Sequence, residues 1–125
     1  LGRWEGLTRE EAIFKYPEDA HFSFKELATS KVKEGESLLE LKGRVIPALS
    51  SIVERHKGEA VCIVAHGGVN RIILSEAMGL PIENFFRIEQ DYGALNLIDC
   101  FDDGIKVVKL LNGGPNQEFR PTELY

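Results

Sequence analysis

The residues best suited to chemistry are His66, Gly67 and Gly68, which follow the apolar run 60–65 and precede apolar residues at helical spacing. A continuous apolar run of that length reads as a strand covered on both faces. The triplet then lies at the strand's carboxyl end, where open α/β sheets place their ligands. A helix starting there offers unpaired amides and its positive dipole end, a setting that suits phosphate. Glycine at 67 and 68 permits unusual backbone angles and lets an oxyanion approach the amides without Cβ hindrance. His66 supplies a nucleophilic nitrogen or, when protonated, a charged donor. A bland alternative stands beside this one: a histidine satisfied by local backbone, with glycines that serve only the turn.

Other chemistries lack their residues. There is no Gly-x-x-x-x-Gly-Lys-Ser/Thr loop and no Gly-x-Ser-x-Gly elbow. Gly68 stands six residues after Cys62, where a thiolate-based phosphate loop needs arginine, and Cys62 lies within the strand, so it reads as core. His21, His56 and His66 have neither i, i+4 spacing nor a Cys-x-x-Cys neighbour, so no metal is expected. No cofactor is expected either. His56 reads as a helix-terminal residue interacting with the dipole. Arg71 reads first as ion-paired or solvated and second as a phosphate ligand. Gln90, Asp91, Tyr92 and Gly93 read first as the entry turn of the next strand and second as cleft lining.

The elements that must position these residues follow from punctuation. Thr8-Arg9-Glu10-Glu11 has capping-box spacing and opens a short helix that Pro17 closes. Ser37-Leu38-Leu39-Glu40 repeats it, and Leu38, Leu41, Val45, Leu49, Ile52 and Val53 fall on one face of a helix ending near His56 and Gly58. Pro47 inside it predicts a kink or a restart, unless the helix simply begins later. Val69, Ile72, Ile73, Ala77 and Met78 form the next helix, with Gly79 as its stop. Pro81 starts a further helical turn. Runs 94–101 and 105–111 read as strands joined at Asp102-Asp103-Gly104. Segment 18–35 is an irregular or partly helical excursion on the surface, and the tail from Asn112 reads as loosely ordered.

Composition sets the remaining bounds. The chain has 125 residues, 43% hydrophobic and 28% charged, which suits a single domain over 1–125. A formal charge of -5 argues against nucleic acid or an anionic membrane as partner. No apolar stretch approaches the roughly 20 residues of a bilayer span. Cys62 and Cys100 both fall in apolar runs and read as buried thiols of a reducing, cytoplasmic compartment.

Taken in order, Gly2-x-Trp4-Glu5-Gly6-Leu7-Thr8, Gly35-Glu36-Ser37 with Arg44, and Val64-Ala65-His66-Gly67-Gly68-Val69-x-Arg71 resemble the histidine phosphatase superfamily. The resemblance is nearest its small phosphatase branch, which includes α-ribazole phosphatases. It implies a three-layer α/β/α fold with a mostly parallel sheet, the phosphoglycerate mutase-like fold, and no metal. It also implies hydrolysis of a small-molecule phosphate ester through phosphohistidine. In such a family the histidine of an Arg-His-Gly motif attacks phosphorus, two arginines and a second histidine hold the phosphoryl oxygens, and a glutamate protonates the leaving group. His66 matches the second histidine, with the Gly67 amide beside it.

No Arg-His-Gly occurs in the sequence, and Glu5 is not the acid glutamate. The chain therefore reads as the C-terminal two thirds of such a domain, opening in mid-motif, with the N-terminal part of the fold missing. Three expectations follow: no turnover by this polypeptide alone, an apolar sheet edge left open around Val61 and Ile63, and completion by another chain segment or a second copy. The runners-up are a phosphoglycerate mutase, with 18–34 as its lid, and a non-catalytic phosphate-binding module. His66 acting as nucleophile by itself is a further reading.

Overall fold

The structure, a computed structural model, describes residues 1–20, 26 and 28–114. Both capping boxes form. Thr8 caps α1 (Arg9–Lys15): its hydroxyl accepts from the Glu11 amide at 3.2 Å, and the Glu11 carboxylate accepts from the Thr8 amide at 2.8 Å. Ser37 and Glu40 repeat the exchange at 3.1 and 2.8 Å, opening α2 (Leu38–Arg55). Each reciprocal pair satisfies two backbone groups that a helix start leaves orphaned. Pro47 lies inside α2 without dividing it, so the helix neither restarts there nor begins later. His56 is its C-terminal cap, as expected of a helix-terminal residue.

Helix α3 (Gly67–Met78) begins at His66 and stops at Gly79, whose φ of 67° lies in the left-handed region. Gly79 N donates to Glu76 O and Leu80 N to Ser75 O, the two bonds of a Schellman stop. A 3-10 turn over Ile82–Arg87 follows Pro81. Strands β1 (Leu95–Cys100) and β2 (Lys106–Gly113) pair antiparallel around the Asp102-Asp103-Gly104 turn, where Gly104 adopts φ 90°. β2 continues through Asn112 and Gly113, which corrects the expectation of loose order at these two residues. Residues 115–125, like positions 21–25 and 27 of the excursion, lie outside the described residues.

The core sits where α2 crosses α3. Val45, Ile72, Ile82, Phe85 and Ala28 form one buried cluster, with Leu38, Leu41, Ile46, Val69 and Ile73 packed around it. Periodicity placed Val45 and Leu49 on the buried face of α2, and both are buried.

The run 60–65 differs from expectation. It belongs to no helix or strand, among the described residues no backbone hydrogen bond ties it into a sheet, and the described sheet is the antiparallel pair β1–β2 alone. Val64 is 94% exposed, and Val61 and Ile63 are nearly half exposed. A strand covered on both faces needs neighbours on both edges and a layer on each side, and among the described residues these are not supplied to 60–65. For the same reason the reading of Cys62 and Cys100 as buried core thiols is corrected: both are free and exposed. Exposure of Val61 and Ile63 does agree with the open apolar edge expected there.

Candidate functional site

Position 66 is where the run 60–65 gives way to α3. His66 adopts extended backbone angles (φ -70°, ψ 154°) as N-terminal cap, and its carbonyl accepts from Asn70 N at 3.0 Å. Its side chain makes no capping bond and is exposed, so the imidazole is not consumed by local backbone as the bland alternative requires. The amides of Gly67, Gly68 and Val69 belong to the first turn, whose donors have no intrahelical acceptor. Gly67 and Gly68 do not have positive φ. Unusual backbone angles are therefore not what glycine supplies here, and open access to the amides is.

A Cβ placed on Gly67 would stand 3.5 Å from Arg71 Nη1 and 3.8 Å from Gln90 Cβ, so these two side chains flank it. Arg71 is held as the ion-paired reading expects. Its Nε donates to the Ile88 carbonyl at 2.7 Å and its Nη2 to Glu89 Oε1 at 3.3 Å. The guanidinium carbon lies 5.8 Å from the Phe85 ring centroid and 5.7 Å from that of Phe86, within cation–π range.

Segment 90–93 is the expected turn, closed by Ala94 N donating to Asp91 O and by Gly93 at φ 72°. It also carries an amide network that sequence reasoning missed. Gln90 Nε2 donates to Asn96 Oδ1 at 3.0 Å and Asn96 Nδ2 donates to Gln90 Oε1 at 2.7 Å. Asn112 N donates to the same Asn96 oxygen, while the Asn112 side chain accepts from Asp91 N and donates to the Asp91 carboxylate. Two sequence signals were available: Asn96 between Leu95 and Leu97 in an apolar strand, and an asparagine at 112, a residue type that tolerates the left-handed φ of 53° found there.

The N-terminal motifs meet one another. Arg3 N donates to Lys33 O at 3.0 Å, and Gly2, at φ 56°, packs so closely on Lys33 and Gly35 that no Cβ fits. The Arg3 guanidinium grips Asp19 through Nε at 3.0 Å and Nη2 at 2.7 Å, reaches Glu18, and lies 4.2 Å from the Tyr16 ring centroid. Trp4 Nε1 donates to Asp19 Oδ2 at 2.9 Å. The Arg3 bonds, aided by Trp4, hold the Asp19 carboxyl below its ordinary range, and Asp19 in turn raises Arg3. Arg44 clasps Glu36 through two bonds and lowers its carboxyl likewise. Among the described residues no group of three or more His, Cys, Asp or Glu is placed to hold a metal ion, and no helix is long and apolar enough to cross a membrane.

Residues 1–113 match the histidine phosphatase superfamily (branch 1). Phosphoserine phosphatase 1 of Hydrogenobacter thermophilus is 28% identical over 109 residues, covering 87% of this chain and 52% of that protein. The structure of Bacillus stearothermophilus YhfR is 30% identical with a TM-score of 0.75, over 88% of this chain and 55% of that one. The α-ribazole phosphatase from Shigella flexneri, 20% identical, shares the fold with a TM-score of 0.77 over 90% of this chain and 55% of its own. The chain thus spans about half the length of these three relatives.

Proposed function

Because this chain belongs to the histidine phosphatase superfamily, we propose that it forms part of a metal-independent phosphomonoesterase acting on a small phosphorylated metabolite through phosphohistidine. His66 is its oxyanion-stabilising donor, and the amides of Gly67 and Gly68 are its phosphate-binding groups. One observation carries the reading: an exposed imidazole, free of any capping bond, stands beside the open first turn of a twelve-residue helix. Such donors act on charge that develops on the phosphoryl oxygens and need no reorganisation as it does.

Residues 1–125 contain no Arg-His-Gly. In the proposed reaction the nucleophile comes from chain outside these residues. Its imidazole nitrogen bonds to phosphorus as the ester oxygen departs with a proton from a glutamate, also outside them. Water then cleaves the P–N bond and releases orthophosphate. His66 and the two glycine amides hold the non-bridging oxygens through both steps. Phosphoserine phosphatases among the relatives support hydrolysis over transfer back to a second hydroxyl.

The test is hydrolysis of an aryl phosphate, phosphoserine and phosphoglycerate in the presence of a metal chelator. The 125-residue polypeptide alone is expected to show no turnover. With an Arg-His-Gly segment from a relative fused upstream or added in trans, hydrolysis is expected, and His66→Asn lowers kcat/KM by about a hundred- to a thousandfold. Undiminished activity in His66→Asn refutes the assignment. Isomerisation of phosphoglycerate in place of phosphate release identifies a mutase.

A further inference from the structure

Residues 88–91 are pinned from two sides at the end of α3 that bears His66. On one side Arg71, only 18% exposed in its side chain, holds the Ile88 carbonyl and the Glu89 carboxylate with two of its three nitrogens. On the other, Gln90 exchanges two hydrogen bonds with Asn96, and Asp91 exchanges two with Asn112, one strand further across the sheet. Asn96 Oδ1 accepts from both the Gln90 side chain and the Asn112 backbone amide, which makes Gln90, Asp91, Asn96 and Asn112 one connected network. The segment so held approaches the site at Gly67, where Gln90 Cβ and the Nη1 of Arg71 would stand 3.8 and 3.5 Å from an added Cβ.

We propose that residues 88–91 form a strap that fixes the orientation of the first turn of α3, with Arg71 and Gln90 as its positioning residues. The proposal rests on the phosphate reading of that turn and deepens it. Neither side chain is assigned a bond to substrate. A guanidinium meets a carbonyl and a carboxylate with a rigid planar fork, whereas an ammonium offers one compact centre and cannot reproduce both bonds at these distances. The reciprocal Gln90–Asn96 pair similarly fixes where the Gln90 stem lies, and a truncated side chain leaves Asn96 without it. Helix α3 is anchored in its middle by core residues Ile72 and Leu74 and at its far end by the Gly79 stop. Its first turn has the strap as its neighbour at Gly67, so loosening the strap tilts the donors and leaves the rest of the helix in place.

The test uses the isotopically labelled protein with inorganic orthophosphate as probe. The variants are Arg71→Lys, Gln90→Ala and, as a stability control, Lys42→Ala, which removes the ion pair with Glu76 near the other end of α3. Arg71→Lys and Gln90→Ala are expected to weaken orthophosphate binding, read at the Gly67 and Gly68 amides, by about tenfold. They are also expected to displace the N–H residual dipolar couplings of those two residues from values fitted by the rest of α3. Lys42→Ala changes the thermal midpoint with neither effect. Should Arg71→Lys fail to fold, Gln90→Ala decides, because it leaves both Arg71 contacts intact. Wild-type couplings and wild-type affinity in the folded variants overturn the strap. A wild-type protein that binds no orthophosphate removes the phosphate reading instead. The dipolar couplings then judge the strap alone: displaced values sustain it and unchanged values refute it.

Discussion

Alanine at position 67 separates two reasons for having glycine there by the sign of a stability change. If glycine served a backbone angle forbidden to other residues, Gly67→Ala would destabilise the fold. Gly67 is instead the first residue of α3, without positive φ, and a Cβ there meets its nearest heavy atoms at 3.5 and 3.8 Å, which is ordinary contact. Gly→Ala at a compatible site stabilises by about 0.4–1 kcal/mol, chiefly by restricting the unfolded chain. At a helix's first residue the lower half of that range applies, about 0.5 kcal/mol. With a urea slope of about 1–1.5 kcal/mol per M for a chain of this size, the midpoint should rise by about 0.3–0.5 M. Gly2→Ala makes the opposite comparison, because φ 56° and the backbone of Lys33 and Gly35 leave no room for a Cβ. The left-handed conformation alone costs an L-residue about 1–2 kcal/mol. Urea unfolding followed by Trp4 fluorescence and by far-ultraviolet circular dichroism measures both. The new methyl at 67 also fills the space between the first-turn amides and Arg71, so orthophosphate affinity falls while stability rises. A lower midpoint for Gly67→Ala, or a higher one with unchanged affinity, refutes open amide access as the purpose of the glycine.

Two further outcomes follow from the charge and exposure patterns. Arg3 and Trp4 hold the Asp19 carboxyl below its unfolded value, so this contribution to stability is complete above the ordinary carboxylate range and is lost as pH falls through it to the lowered folded value. Asp19→Asn should therefore reduce the urea midpoint near neutrality and flatten its decline in acid, and an acid limb identical to wild type contradicts the Arg3 clamp. Val64 is 94% exposed, so Val64→Lys should change stability by less than about 0.5 kcal/mol. It should also lower the concentration-dependent self-association that an open apolar edge promotes, as measured by sedimentation velocity, whereas a large loss of stability would show the side chain buried.

What was legible in the sequence was local. Thr8 with Glu11, Ser37 with Glu40, Gly79 and the Asp102-Asp103-Gly104 turn each act within a few residues, and each forms as its chemistry dictates. His66 is similar: its place between an apolar run and a helix follows from spacing, and the free imidazole is then a matter of what the cap does not use. The partners of Arg71 lie 17 and 18 residues away, and the Asn112 bonds span 16 and 21, separations at which one sequence names donors and acceptors without saying which will meet. Residues 60–65 are the limiting case. Their apolar character states a demand for burial, but burial of a strand is a property of its neighbours, and Val64 in water shows the demand unmet among the described residues. The same reasoning explains why Cys62 and Cys100 were misread: a strand pattern predicts which face a side chain takes, and only a second layer of structure turns that face into an interior.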